Sequence, residues 1–310
     1  MIIALVEMIF GWLALGFFIH ILILKWRGTA ASQFFFTQVN RVILFVSLPA
    51  TMFFALHSLH FETTLLFPVS MAWIIFILGL FVFTRPGFNF SRSSTGALVM
   101  TAGLGNTSFV GFPLLTALYG ESVLKTAVLT DQPGSFLVLS TLGVFFASYF
   151  GAKSASFKTV ALRIIKFPPI WALLIALLLR PVSFSDETNQ VILFCARSLV
   201  PLALISVGSQ LLLKPQDIRG REKALAIGLG YKLFAAPAVM LVLALAMKIP
   251  HEIALITILE AAMAPMITGA IVAKENDLDP ELCSLMVGIG IPLSLLTVPL
   301  IAWILGLAGL

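Results

Sequence analysis

A chain of 310 residues that is 60% hydrophobic and only 11% charged cannot cover a soluble surface, which needs about 25% charged residues. Its mean hydropathy of +1.07 excludes a soluble enzyme, a disordered chain and a nucleic-acid-binding module, and makes lipid its natural solvent. The formal net charge of +5 then reads as basic loops facing the cytoplasm rather than as a nucleic-acid surface.

Crossing a bilayer takes roughly 20 apolar residues per helix. Ten runs meet or approach that length, at 3–24, 42–59, 64–84, 95–119, 124–150, 167–182, 190–213, 224–247, 252–273 and 281–304. They are predicted as helices 1 to 10, in an all-α membrane protein. The runs are continuous rather than alternating, and too long for barrel strands. Lys25 and Arg27 follow the first run and no basic region precedes it, so it reads as a spanning helix rather than a cleaved signal. Glu7, near its outer end, is an intramembrane charge that can reach the interface.

The loops after helices 1, 3, 5, 7 and 9 carry fourteen Lys and Arg residues, the opposite loops only Lys125, Arg180 and Lys248. That asymmetry places both termini outside the cytoplasm, in a multi-pass plasma membrane protein of the bacterial inner-membrane kind. The longest cytoplasmic loop, near 151–166, divides the chain into 1–151 and 152–310 with five helices each. An odd number of helices per half inverts the second relative to the first, so the expected architecture is two inverted five-helix repeats. An echo supports it. Pro49 and Pro113 lie 64 residues apart, as do Pro201 and Pro265, and each pair joins the second and fourth helix of its half.

Helix 4 contains Gly103-Leu104-Gly105-Asn106-Thr107-Ser108-Phe109-Val110-Gly111-Phe112-Pro113. Pro113 cannot donate to the carbonyl of Phe109, and a freed backbone group in a bilayer needs a partner. Asn106, Thr107 and Ser108, or a bound ligand, can supply it; a proline kink patched by neighbouring hydroxyls is the structural alternative. Helix 9 contains Glu260-Ala261-Ala262-Met263-Ala264-Pro265-Met266-Ile267-Thr268-Gly269, where Pro265 frees the carbonyl of Ala261 and the small residues permit close backbone approach. Helices 4 and 9 are therefore expected to be broken and crossed. Their half-helix N-termini would favour an anion, and their carbonyl ends a cation.

A charge at a helix centre costs about 2.5–3.5 kcal/mol on insertion scales, so the remaining four are weighed for function and for structure alike. Asp131, beside Gln132 and before Pro133, suits a proton carrier, a cation ligand or a packing partner. Glu260, five residues before Pro265, suits proton or cation coupling. Lys232 suits attraction of an anionic substrate, or a bridge to Asp131 or Glu260. Arg197, four residues before Pro201, suits either role. His20, His57, His60 and His251 form no metal pattern with carboxylates, and Cys195 and Cys283 form no CxxC pair. No HExxH, GxSxG or Walker A sequence occurs. An enzyme, a metal site and a cofactor are not expected.

The segment Gly105-Asn106-Thr107-Ser108-Phe109-Val110-Gly111-Phe112-Pro113-Leu114 resembles the helix 4 signature of the auxin efflux carrier family. Leu48-Pro49-Ala50, Pro201-Leu202-Ala203-Leu204 with Val207-Gly208, Glu260 to Pro265, and Leu296-Thr297-Val298-Pro299-Leu300 also resemble its motifs, in the same order along nearly the whole chain. The resemblance implies a prokaryotic-type permease with the fold of bile acid–sodium symporters and sodium–proton antiporters. Helices 1, 2, 6 and 7 would form a scaffold, and helices 3–5 and 8–10 a core that moves against it like an elevator. It implies organic-anion transport, of carboxylates such as malonate, malate or auxin, and a homodimer through the scaffold. Asn106 and its neighbours would contact substrate. Glu260 is similar in position to a sodium-ligating acid of the bile acid symporters. Helix 9 departs from the pattern: many members place an asparagine just after the proline, where Met266, Ile267 and Thr268 stand here.

The expected function is secondary active transport of a small organic anion. Asn106, Thr107, Ser108, Thr268 and Lys232 would contact substrate. Gly105, Gly111, Pro113 and Pro265 would shape the breaks, and Asp131 and Glu260 would bind a coupling proton or sodium. The alternative is a cation–proton antiporter on the same fold, using Asp131 and Glu260.

Overall fold

The computed structural model describes residues 2–57, 59, 62–151, 165, 167–180, 182–211 and 218–307, with side chains from residue 7 onward. His60 and the basic residues Lys153, Lys158, Arg163, Lys166 and Lys214 lie outside the described residues, as does most of the loop that divides the expected halves. Among the described residues the chain is helical, and its only extended pairing is a single bridge between Gly105 and Pro265.

Packing divides the chain into two units. The first comprises Met1–Phe61, Ser108–Val128 and Ile165–Leu211, which gathers predicted helices 1, 2, 6 and 7 and the second half of helix 4. The second comprises Glu62–Thr107, Leu129–Ile164 and Leu212–Leu310.

In the first unit the opening helix, Ile2–Val42, is interrupted at Gly28 (φ 81°, ψ 179°), a conformation that costs glycine little and other residues much. The chain reverses there. His20 Nδ1 lies 2.6 Å from Ser32 Oγ, twelve residues on, a separation of about 18 Å along a straight helix. Predicted helix 2 thus begins at 29 rather than 42. The stretch 29–41 is too polar to stand out by hydropathy, yet Ser32 and Phe36 are buried at helical spacing and Asn40 Oδ1 accepts from Ser206 Oγ at 2.6 Å. Helix 7 also starts earlier than 190, at Asp186. Ser185 caps it by accepting from the Thr188 N–H, and Asp186 and Glu187 follow in its first turn, an acidic start that suits the helix dipole.

Wide π turns recur at Ile43–Ser47, Thr107–Gly111 and Tyr231–Ala235. Each ends two residues before a proline: Pro49, Pro113 and Pro237. The cause is common to all three. The proline has no N–H for the carbonyl four residues back, and the chain widens by one residue per turn rather than breaking. A longer wide turn, Thr130–Phe136, encloses Pro133, whose carbonyl accepts from Trp73 Nε1 at 3.1 Å.

Six helical stretches among the described residues are long and apolar enough to cross a membrane. Runs 1 and 2 join in one of them, Glu7–Leu56. Helix 6 is short, at Pro168–Leu178, and helices 4 and 9 are each cut into halves below spanning length. These stretches make the chain an integral, multi-pass membrane protein.

Candidate functional site

Two helices of the second unit stop short in its interior. Arg92–Ala102, capped by Ser91 accepting from the Ser94 N–H, ends before Gly103. His251–Ala261 ends before Pro265. The segments that follow run antiparallel. The Asn106 N–H donates to Ala264 O at 2.8 Å, and the Met266 N–H donates to Leu104 O at 3.1 Å. Backbone groups released by the breaks thus satisfy one another across the crossing, as burial away from water demands. The first break lies at residues 103–106 rather than at Pro113. Pro113 lies within the helix that follows the break, Thr107–Tyr119, where its missing N–H is accommodated by the wide turn Thr107–Gly111 rather than by a break.

Ala261, whose carbonyl Pro265 was expected to free, has a specific partner: Lys232 Nζ donates to Ala261 O at 2.7 Å. Lys232 is 1% exposed. It rides on the wide turn Tyr231–Ala235, pinned where Tyr231 Oη donates to Ile75 O at 2.5 Å. An ammonium at a helix C-terminus meets carbonyls left without intrahelical donors and the negative end of the dipole. Gly105 lies close against it: a Cβ there would stand 2.9 Å from Lys232 Nζ and displace the ammonium.

Two acids are buried with this ammonium in the second unit. Asp131 is buried and accepts from Thr107 Oγ1 at 2.5 Å and from Gln132 Nε2 at 2.6 Å. Glu260 is wholly buried, and neither of its carboxyl oxygens accepts a hydrogen bond among the described residues. Gln132 Oε1 is likewise without a donor. The charges of Asp131 and Lys232 both act on Glu260. A carboxylate with no donor in such surroundings bears a desolvation cost of several kcal/mol, of order that of other unpaired buried ions, unless a proton or a cation reaches it.

The structure therefore brings together Gly105, Asn106, Thr107, Asp131, Lys232, Glu260 and Pro265 in the second unit. Thr268 is on the same unit, exposed in the first turn of Ile267–Glu275. Ser108, Gly111 and Pro113 pack in the first unit. So does Arg197, which pairs with Glu121 at 2.7 Å and is 62% exposed rather than buried; Glu7 is exposed too. Sequence reasoning missed Gln132 as a partner of Asp131, although the two are adjacent before a proline. It also missed Glu121, which no intramembrane run drew attention to. Among the described residues no three His, Cys, Asp or Glu side chains converge as a metal site.

Comparison with known proteins identifies the family. The family described as "Membrane transport protein" matches residues 32–302. An uncharacterized transporter of Methanocaldococcus jannaschii is 25% identical over 280 residues, covering 86% of this chain and 89% of its own length. An uncharacterized transporter of Methanothermobacter thermautotrophicus is 26% identical over 271 residues, covering 85% and 87% respectively. With a match across most of its length, the chain belongs to the membrane transport protein family, that of the auxin efflux carriers, a family of transporters rather than enzymes.

Proposed function

We propose that this protein is a secondary active transporter of a small organic anion, a carboxylate, bound where the two broken helices cross. The observation that carries the reading is the Gly105–Pro265 bridge with a buried ammonium and two buried acids around it. A packed helix pair with no cargo has no need of two breaks, nor of three ionisable groups beside them. Asn106 and Thr268 would offer donors to the carboxylate from the second unit, with Thr107, whose hydrogen goes to Asp131, and Ser108 beside Asn106 in sequence. Lys232 would supply positive potential from behind Gly105 while remaining on Ala261 O.

Charge balance gives the coupling. With Lys232 charged and Asp131 ionised, the cluster is neutral when Glu260 carries a proton or faces a sodium ion. An arriving carboxylate adds one negative charge and strengthens the hold on that cation, and the cation strengthens the hold on the carboxylate by the same factor. Symport follows, by an elevator movement of helices 3–5 and 8–10 against helices 1, 2, 6 and 7, in a ten-helix fold of two inverted repeats. The proposal places the protein in the plasma (inner) membrane with both termini outside the cytoplasm, as a homodimer through the scaffold.

A cation–proton antiporter is the second reading. It is favoured by the three acceptor oxygens without donors, two on Glu260 and one on Gln132, which suit a hard cation. Reconstituted protein separates the two. A carrier takes up a carboxylate and loses its ion dependence in Glu260→Gln. An antiporter exchanges sodium for protons with no carboxylate present, and unchanged ion dependence in Glu260→Gln contradicts the role given to this residue in either reading.

A further inference from the structure

The crossing makes no use of Arg197, yet this residue is arranged as a ligand group. Its Nε and Nη2 donate to Glu121 Oε1 and Oε2 at 2.7 and 3.4 Å, the forked grip that a guanidinium offers to any carboxylate. The two partners are held differently. The helix carrying Arg197 is fixed to the first unit's second helix, with Ser198 Oγ 2.7 Å from Ser47 Oγ and Thr51 Oγ1 donating to Ala196 O at 3.4 Å. Glu121 follows Gly120, a turn residue at φ 86°. Arg197 is 62% and Glu121 35% exposed, so the pair is not sealed in the packed interior, and an ion pair of this kind contributes little to stability.

Behind the pair lies a void of about 60 Å³ lined by Phe54, Phe112, Thr116 and Leu193. Thr116 Oγ1 is buried there with no hydrogen-bond partner among the described residues. Phe54 and Leu193 also line a second cavity of about 400 Å³, whose polar edge includes His57, Asn189 and Gln190. Water occupies about 30 Å³, so the small void accepts a carboxylate head. The larger one falls within the roughly 300–1,000 Å³ of small-molecule sites. Asp186, also on the larger cavity, stands eleven residues from Arg197 on the same helix, about 16 Å along its axis. That is far beyond the reach of an ion pair, so Asp186 is not a partner of the guanidinium.

We propose that these two neighbouring cavities, which share Phe54 and Leu193 as lining, form an entry site for a carboxylate with an apolar body, whose carboxylate displaces Glu121 from Arg197 and accepts a hydrogen bond from Thr116. Glu121 is then a built-in competitor: it keeps the guanidinium oriented when the site is empty and weakens retention so that the ligand moves on. The purpose of the site rests on the carboxylate-carrier reading, but its occupancy is measured independently of transport.

The test is benzoate binding to the purified full-length protein, followed by calorimetry, in wild type and in Glu121→Gln, Arg197→Gln and Asn106→Ala. Glu121→Gln should tighten binding about tenfold, as expected when a charge-assisted competitor is removed. Arg197→Gln should abolish the component that Asn106→Ala leaves in place. Benzoate binding unchanged by Arg197→Gln, weaker binding in Glu121→Gln, or no binding in either wild type or Glu121→Gln overturns the proposal. In liposomes, Arg197→Gln should raise KM for carboxylate uptake and spare the maximal rate. A change of maximal rate alone would make the pair a conformational latch and overturn the entry site. Arg197-dependent binding in a protein that moves no carboxylate would leave the entry site standing and defeat the carrier reading instead.

Discussion

At the first break the chain reads Gly103-Leu104-Gly105-Asn106-Thr107, and at the second Ala262-Met263-Ala264-Pro265-Met266. The backbones do the same thing, each supplying an N–H and a carbonyl to the other. The side chains do not. The first break brings an amide and a hydroxyl, and Thr107 Oγ1 spends its hydrogen on Asp131. The second brings methyls, a pyrrolidine ring and thioethers, and its polar contribution is the carbonyl of Ala261, met by Lys232. Two breaks that are equivalent in fold are therefore unequal in chemistry. One presents polar side chains, and the other a backbone carbonyl that holds an ammonium.

The comparison can be broken most severely at Lys232. Lys232→Met leaves Ala261 O without its donor and Glu260 without its cation. Removing one partner of a buried charged cluster costs about 3–5 kcal/mol. Thermal unfolding in detergent should show the largest drop of any single variant discussed here. Adding Glu260→Gln should recover part of it, whereas simple additivity of the two changes would show the groups to be uncoupled.

At the first break, Thr107→Val removes the hydroxyl that donates to Asp131 and should cost about 1.5–3 kcal/mol, the range for hydrogen bonds to charged groups. Thr107→Ser, which keeps the hydroxyl, should lose far less. Equal losses would mean that packing of the methyl, not the bond, matters. Gly105→Ala should cost about 1–3 kcal/mol as an overpacked site, because the new Cβ would sit 2.9 Å from Lys232 Nζ and 3.5 Å from Glu260 O. The mirror change at the second break, Ala264→Gly, should have the smallest effect, about 0.5–1 kcal/mol from added chain entropy. If Gly105→Ala proves as mild as Ala264→Gly in unfolding experiments, the two breaks are more alike than their sequences indicate.

Much of this asymmetry is legible in the sequence, because it resides in residue type. The density of glycine and polar residues before Pro113, and the alanines around Pro265, locate both breaks to within a few residues. What misleads is the proline itself. Pro113 produces a wide turn, like Pro49 and Pro237, and the helix actually ends ten residues earlier, at Gly103. Only a proline that coincides with the end of its helix, as Pro265 does, marks the break directly. The start of predicted helix 2 is invisible to hydropathy because 29–41 buries only a narrow stripe. The partners of the charges are the least legible part. Lys232 and Ala261 are 29 residues apart and Arg197 and Glu121 are 76 apart. A single chain read in order identifies a buried ammonium that needs an acceptor, but not which carbonyl the packing brings to it.

The most direct measurement of the central claim is charge movement in proteoliposomes adsorbed on a solid support. A panel of carboxylates is pulsed with and without sodium and with and without a pH gradient, in wild type, Asn106→Ala and Glu260→Gln. The crossing described here predicts a current with at least one carboxylate, lost in Asn106→Ala, whose dependence on sodium or pH disappears in Glu260→Gln. Currents that follow sodium or pH steps alone, indifferent to every carboxylate and to Asn106, would contradict an anion site at the crossing.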